Sequence, residues 1–471
     1  MKKFFASANI AAIAVFAFCF SIPFGTKKFI LPFVNNSTEE IRAAFVFLSD
    51  VWLLVFALIL FVLLYRNSPP LAAQRFRLPK IALISGIIFI AFSSLSVFVS
   101  PMPELGAYSL IRLVFSALGA VLLCVLAVRT NKFIKSPLNT PPLAARLFIP
   151  AAVFLSGVFQ AAVGILQFLR GESLGLRYLG ESVINHGTEG VARVSVHGAY
   201  FLRAYGTMPH ANILAAFLVF SLISGLFLLV ICKHREAAGA GRYLRITFIS
   251  AGIFIIIFGL AATFSRSGWI VGLFSAAAFF ALSFAVLPRK QDIVIPFSVF
   301  AVSLAALFAV FGWAIFPRVS LSRAEPSVDL RVNYMKMDAR IALSNPFLGA
   351  GIGNEVIYAE NSGFYEKFGV LKRSDFQPTH NLFILSAAEI GFFGAAAFFV
   401  FLAAALFGGK LNIENAWLRV VFAGFLVFGL FDHFFWTLNS GRVMFWVVVF
   451  YSLLVFNSDA MADRVINKDV I

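Results

Sequence analysis

Several polar clusters interrupt an otherwise apolar chain, and their residue types can handle an anion or a proton. The stretch TFSRSGW, Thr263 to Trp269, sets Arg266 between two apolar runs with almost nothing separating them. A guanidinium there offers a planar fork to phosphate oxygens. An arginine at a helix end also snorkels to the interface, so anchoring competes with that reading. The stretch RAYGTMPHAN, Arg203 to Asn212, leads into another apolar run. Gly206 permits a turn and Pro209 suits a first helical turn. Arg203, His210 and Asn212 remain as polar groups that either line a site or anchor an interface. NPFLGAGIGN, Asn345 to Asn354, spaces its glycines GxGxG. No strand precedes it and no Walker lysine follows, so it reads as a tight turn rather than a nucleotide loop. In THNLFILSAAEIGFFG, Thr379 to Gly394, His380 and Asn381 stand at the entry to an apolar run. Glu389 follows His380 by nine residues, about 13.5 Å along a helix. A carboxylate that deep requires a partner and reads as structural. FDHFFW, Asp432 to Trp436, with Arg442 beyond it, belongs either to the interface or to the same outward cavity.

The elements that position these groups must be membrane helices. Of 471 residues, 61% are hydrophobic and 13% charged, and Phe alone supplies 59. Soluble domains run at roughly 45–50% apolar and about 25% charged, so a soluble enzyme and a disordered chain are both excluded. The long apolar runs favour helices over a barrel, whose strands give short alternating segments. Twelve runs are long enough to cross a bilayer: 7–24, 41–65, 81–100, 107–128, 147–169, 211–232, 243–264, 267–287, 292–316, 381–407, 416–435 and 437–457. The first follows Lys2 and Lys3 as a signal peptide would, but no small-residue cleavage site follows it, so it is kept as a helix. The expected fold is an all-α polytopic bundle of about twelve spans.

Net charge is +16, and no basic stretch interleaves with stacking aromatics outside the spans, so nucleic acid is not an expected partner. Arg66, Arg75, Arg77 and Lys80 crowd one short loop, and Arg129, Lys132, Lys135 and Arg146 the next on that side. Short loops on the other side carry only Lys27, Lys28 and Arg266. By the positive-inside rule both termini are cytoplasmic. Two long loops then face outward, about 170–210 and about 317–380, the second lying between spans nine and ten. The first contains an alternating stretch, Val191 to His197, that fits a short strand. The second holds an amphipathic helix near 327–344, with Ser327 as N-cap, Asp329 in the first turn and an apolar stripe of Leu330, Tyr334, Met337 and Ile341. Arg331 and Asp338 lie on a different face. The three cysteines, Cys19, Cys124 and Cys232, sit in apolar runs and read as buried small hydrophobes. Residues 1–200 form an N-terminal part with five spans, 201–457 a second part with the large loop, and 458–471 a cytoplasmic tail.

His380-Asn381, nine residues, then Gly391-x-x-Gly394 resembles the H-N-x9-G-x-x-G signature of the O-antigen ligase superfamily, which also contains O-antigen polymerases and protein O-oligosaccharyltransferases. The SRSG turn, the R-x-YGT-x-x-HAN stretch and the P-x-x-G-x-G turn after an arginine-bearing helix are similar to the same family, over roughly residues 200 to 457. The resemblance implies a GT-C-like bundle in a bacterial cytoplasmic (inner) membrane, with its active site facing the periplasm or cell exterior. It implies transfer of a glycan from an undecaprenyl-pyrophosphate carrier to an acceptor hydroxyl, with inversion. The family's two essential arginines correspond to Arg266 and, in the long loop, Arg331; Met335 replaces a leucine of the family pattern, which leaves Arg340 or Arg323 as alternatives. The family's histidine corresponds to His380, which can take the acceptor's proton near neutral pH. Arg203, Tyr205, His210, Asn212, Asn381 and Arg340 are candidate substrate-binding residues. No cofactor is implied, and no Asp-x-Asp or carboxylate cluster in the outer loops suggests a metal. The acceptor is a lipid, a growing glycan or a protein. A lipid-linked glycan flippase is the reading from another class, with Asp50, Arg112 and Glu389 as its intramembrane groups; the chain lacks the internal repeat a transporter would show.

Overall fold

A computed structural model describes residues 2–34, 37, 39–67, 78–133, 143–185, 187–188, 190–235, 239–319, 326–409 and 411–466. Arg323 and the loop cations Arg75, Arg77 and Lys135 lie outside them. Sixteen α-helices run along the described chain: α1 Lys2–Ser21, α2 Leu48–Asn67, α3 Lys80–Ser96, α4 Pro103–Phe133, α5 Leu143–Arg170, α6 Ala211–Arg235, α7 Ala240–Ala262, α8 Arg266–Val286, α9 Val294–Val319, α10 Pro326–Ser344, α11 Glu355–Asn361, α12 Phe364–Lys367, α13 Leu382–Phe407, α14 Ile413–Gly429, α15 Phe434–Thr437 and α16 Asn439–Ile466. Two antiparallel hairpins accompany them, β1 Lys27–Pro32 with β2 Ala43–Phe47 and β3 Arg193–Val196 with β4 Ala199–Leu202. Each of the twelve apolar runs overlaps a helix, though several extend beyond it. Eight helices among the described residues are long and apolar enough to cross a membrane, and the protein is a multi-pass helical membrane protein.

Position within the bundle follows from sequence. Helix α6 is apolar on every face, which suits a helix surrounded by others. It is buried along almost its whole length and packs against α5, α7, α8 and α14. Rim helices keep one face of large apolar groups outward, such as Ile84 and Ile87 on α3 and Ile270 and Leu273 on α8. Hydroxyls inside the spans bond back to carbonyls one turn earlier, as Ser221 does to Phe217 and Ser224 to Phe220, so they need no outside partner.

Three boundaries differ from expectation. The run beginning at 41 opens as β2 rather than helix, because Ala43–Phe47 pairs with β1 and Asp50 accepts the Phe47 N–H at 2.9 Å to start α2. The run 416–435 ends as α14 at Gly429, and Asp432 and His433 occupy the turn before α15. Helix α10 begins at Pro326, one residue before the expected cap, where a proline suits a first helical turn.

The two long loops and the short turns converge at one end of the bundle. Gly25 N–H donates to the Thr207 carbonyl, Met102 N–H to Asn354, Arg203 to the Thr263 carbonyl, and Asn381 to the Leu430 carbonyl. Tyr334, Met337 and Ile341 of α10 form a second small core with Val356, Tyr365 and Phe376, as the stripe predicts. The glycine-rich turn docks on α13. Gly391 breaks that helix at φ 72°, and Ala350 and Gly351 N–H groups reach the Ala388 and Glu389 carbonyls at 2.7 and 3.0 Å. A Cβ on Gly391 would stand 2.3 Å from the Phe347 carbonyl oxygen. The turn's backbone therefore approaches a helix. The same docking covers Glu389 with protein, and its carboxylate accepts the Trp436 indole N–H at 2.6 Å.

Candidate active site

At the loop-bearing end a cleft of about 390 Å³ opens, with His210, His380, Asp432 and His433 in its wall beside Lys27 and Glu40. His380 comes from the residue pair that caps α13. Asn381 at the N-cap accepts from Phe383 and Ile384 N–H at 3.0 Å each, and its amide donates to the Leu430 carbonyl. Both ends of the Asn381 side chain are thus committed to backbone, and they orient the histidine before it. His380 stacks on Tyr334 of α10, ring centroids 6.0 Å apart, and meets His433 edge-on at 5.1 Å.

Asp432 ties the cluster to the Arg203–Asn212 segment. Its Oδ2 accepts from the Asn212 amide at 2.8 Å, and its Oδ1 from the His433 N–H at 2.9 Å. The Asn212 carbonyl oxygen accepts from Arg203 at 2.7 Å, and Arg203 Nε donates to the Thr263 carbonyl at 2.6 Å. His210 Nδ1 accepts the Asn212 N–H at 3.2 Å. Tyr205 stands one step back: its hydroxyl accepts the Ala192 N–H at 2.8 Å and its ring meets the His210 ring edge-on.

The electrostatics favour a neutral histidine beside an ionised carboxylate. Burial holds His380 down to about 3 and His210 to about 4, and lowers His433 as well. Burial pushes Asp432 up, but the three histidines and Arg331 around it outweigh that and hold it at about 2. Burial, then the charges of Arg318 and Arg331, lower Arg203 to about 10. His380, Asp432 and His433 bring one ligand-type atom each within 4.8 Å of one another, a spacing that a metal ion can bridge. Both Asp432 oxygens already accept hydrogen bonds and His433 Nδ1 bonds Thr437 Oγ1 at 2.7 Å, so the group suits proton handling better than metal binding.

The sequence-predicted residues fall into two sets. Arg331, half-buried on α10, is a charged neighbour of Arg203, His210, His380 and Asp432. Arg340, on the same helix, is exposed. Arg266 opens α8 behind Ser265, whose hydroxyl caps the helix by accepting from Gly268 N–H. The preceding turn is tight enough to force the buried Phe264 to φ 47°, a strained conformation for a bulky residue. Arg266 Nε donates to the Arg318 carbonyl at 2.8 Å, and Arg318 in turn neighbours Arg203. A chain of arginines thus leads from the α8 turn to the cluster. Sequence reasoning left Asp432 and His433 between an interface and the outward cavity with no role assigned, and did not select Arg318. A polar Asp-His pair between two apolar runs was the available signal for the first two; an arginine after a proline at a helix end is too common to flag the third.

Residues 251–399 match the family model described as O-Antigen ligase. That segment runs from α7 into α13 and contains Arg266, Arg331 and His380. The match covers less than half of the chain and supports a likeness to the O-antigen ligase superfamily over that segment. That likeness implies a membrane-embedded enzyme of glycosyl-transfer or ligase type. No curated protein matches the chain.

Proposed function

We propose that the protein transfers a glycan from an undecaprenyl-pyrophosphate carrier to an acceptor hydroxyl at the outer face of a bacterial cytoplasmic membrane. The observation that carries this reading is the approach of His380 and Asp432 to within 4.8 Å, with Arg331 as a charged neighbour of both, inside a chain with an O-antigen ligase segment. Neutral His380 takes the proton of the acceptor hydroxyl, and Asp432 stabilises the imidazolium that forms. The acceptor oxygen bonds to the anomeric carbon as the carbon–oxygen bond to pyrophosphate breaks, which inverts that centre. Pyrophosphate leaves as an anion, and Arg331, Arg266 and Arg203 offset its developing charge. In this reading twelve apolar segments span, an even number that leaves both termini on one side, and the cation-rich short loops make that side cytoplasmic. Asp50 and Arg112, the groups a transporter reading would use, are paired at 2.7 Å, which favours a structural role for both.

The test uses purified protein in nanodiscs, a lipid-pyrophosphate glycan and a panel of lipid, glycan and peptide acceptors, with EDTA present, read by product mass. A mass gain of one glycan on one acceptor, independent of EDTA, is expected. No product from a folded protein with any acceptor overturns the transferase reading; activity that only a divalent ion restores makes the His380 cluster a metal centre instead.

A further inference from the structure

Behind the cleft lies a second, smaller cavity of about 50 Å³. The outer-end turns of α4, the Ile352–Ile357 segment, Glu389 of α13 and the first turn of α16 enclose it. Glu40, Ile41 and Pro378 line both cavities, so the two adjoin. The volume holds a few water-sized groups, each needing roughly 10–15 Å³ on that measure. It fits a substituent rather than a sugar ring.

Close contacts hold its charged groups except at one place, where Arg442 feels the charges of Glu40 and Glu389 without contacting either. Glu40 pairs with Lys27 at 2.9 Å and also accepts the Asn439 N–H. Arg112 pairs with Asp50 at 2.7 Å. Glu389 is held by the Trp436 indole and faces the backbone N–H groups of Gly353 and Glu355. Arg442 is different. It is 7% exposed, and its one hydrogen bond runs from a terminal nitrogen to the Thr437 carbonyl at 3.1 Å. Its Nε is buried without a partner, and among the described residues no carboxylate lies within 4.0 Å of it. A buried guanidinium has five donors to satisfy and a charge to neutralise. It stands in the first turn of the 28-residue α16, where the helix dipole adds to the attraction for an anion.

We propose that this cavity is a subsite for one anionic substituent of the glycan substrate, a carboxylate or a phosphate monoester, gripped by Arg442. Its place in a glycan reaction rests on the transferase reading; the binding itself does not.

The experiment reads thermal unfolding of the full chain in phosphatidylcholine nanodiscs, in an Arg266→Gln/Arg331→Gln background that weakens the cleft's own anion sites. The probes are D-glucuronate, inorganic phosphate and D-glucose at constant ionic strength. Glucuronate or phosphate is expected to raise the unfolding temperature while glucose does not, and the stronger anion distinguishes a uronic acid from a phosphorylated sugar as the source. Arg442→Gln should abolish the shift. Ser109→Phe, which fills the cavity without touching charge, should abolish it too. Arg442→Lys keeps the charge for a protein that fails to fold with glutamine, and should weaken apparent anion affinity about tenfold, because lysine lacks the bidentate fork. No anion-dependent shift with Arg442 present overturns the proposal, as does a shift that survives Arg442→Gln or Ser109→Phe, or one equal in Arg442→Lys. Because no turnover is read, these outcomes are independent of whether transfer is found.

Discussion

Replacing Asp432 by asparagine isolates the charge of the carboxylate from its shape. The carbonyl oxygen of the new side chain would still accept from the Asn212 amide, so the link to Arg203 survives. What is lost is the negative charge beside His380 when the imidazole takes a proton. The reacting atoms of the two side chains lie within 4.8 Å. At that distance, and with an effective dielectric constant of about 20, two unit charges interact by roughly 3.5 kcal/mol. Each 1.36 kcal/mol is a decade in rate, so kcat should fall about 10²–10³-fold. The charge matters only once the proton has moved, so kcat and kcat/KM should fall together while donor affinity stays put. The assay is transfer from a lipid-pyrophosphate glycan in nanodiscs, with donor binding measured separately and unfolding temperature as the check on integrity. A folded Asp432→Asn protein within about tenfold of the parent would refute the electrostatic support of His380 by Asp432. An Asp432→Asn protein that no longer folds would assign the carboxylate to holding the Asn212 link instead.

Arg266→Lys keeps charge but not the planar fork, and should cost most of the transfer activity; near-normal turnover would leave Arg266 as a brace for the α9 end through Arg318. Arg331→Ala should slow transfer by about 10² or more, given that charge-assisted pairs are the strong ones, whereas the exposed Arg340 tolerates alanine; the reverse order of effects would move the anion site along α10. With burial holding His380 near 3 in the free enzyme, the base is neutral from about pH 5 to 8, so kcat/KM should show no acidic limb there; a limb near 6.5 would mean an ordinary, solvated imidazole. Asp338 and Glu355 are fully buried in the second core and burial raises both, Asp338 to about 7. The fold then holds a proton that the unfolded chain releases above about pH 4. Stability should therefore fall as pH rises from about 4 through 7, by up to about 1.4 kcal/mol per pH unit. Asp338→Asn should flatten that slope, and an unchanged slope in thermal unfolding would show the pair does not hold the proton.

The long apolar runs made the helices legible, because a span must be continuous and apolar regardless of its neighbours. The α10 stripe was legible for the same local reason: its period is set by one face packing on the second core. The β1–β2 hairpin was not, since Ala43–Phe47 is as apolar as the helix it precedes and only its pairing with β1 distinguishes it. The break at Gly391 was not legible either: it admits the Phe347 carbonyl from the glycine-rich turn, a neighbour more than forty residues earlier in the chain. The cluster itself was half legible. His380 and the arginines carry recognisable spacing, but Asn212 and Asp432 meet across 220 residues, and nothing local to FDHFFW says which loop it will face.

The stretch that brings His210 to the cleft, with Arg203 and Asn212 linked to it through Asp432, is fixed from behind, before any substrate arrives. Gln167 accepts the N–H groups of Tyr205 and Gly206 at 3.0 and 2.8 Å and donates to the Gly206 carbonyl and to Glu181. Gln160 accepts the Thr207 N–H at 2.9 Å and donates to the Thr207 hydroxyl at 2.8 Å. Both glutamines are fully buried on α5, where an unpaired amide would be expensive. Their amides replace the backbone partners that a helix or sheet would have given residues 205–207. The consequence is electrostatic as well as structural. A guanidinium on a loop that had to order itself around the donor would spend part of its attraction on that ordering. Under the proposed transfer, Arg203, anchored at Thr263 and Asn212 on a loop already held at three successive residues, would be in place when charge develops on the leaving group, which is when preorganised donors lower a barrier.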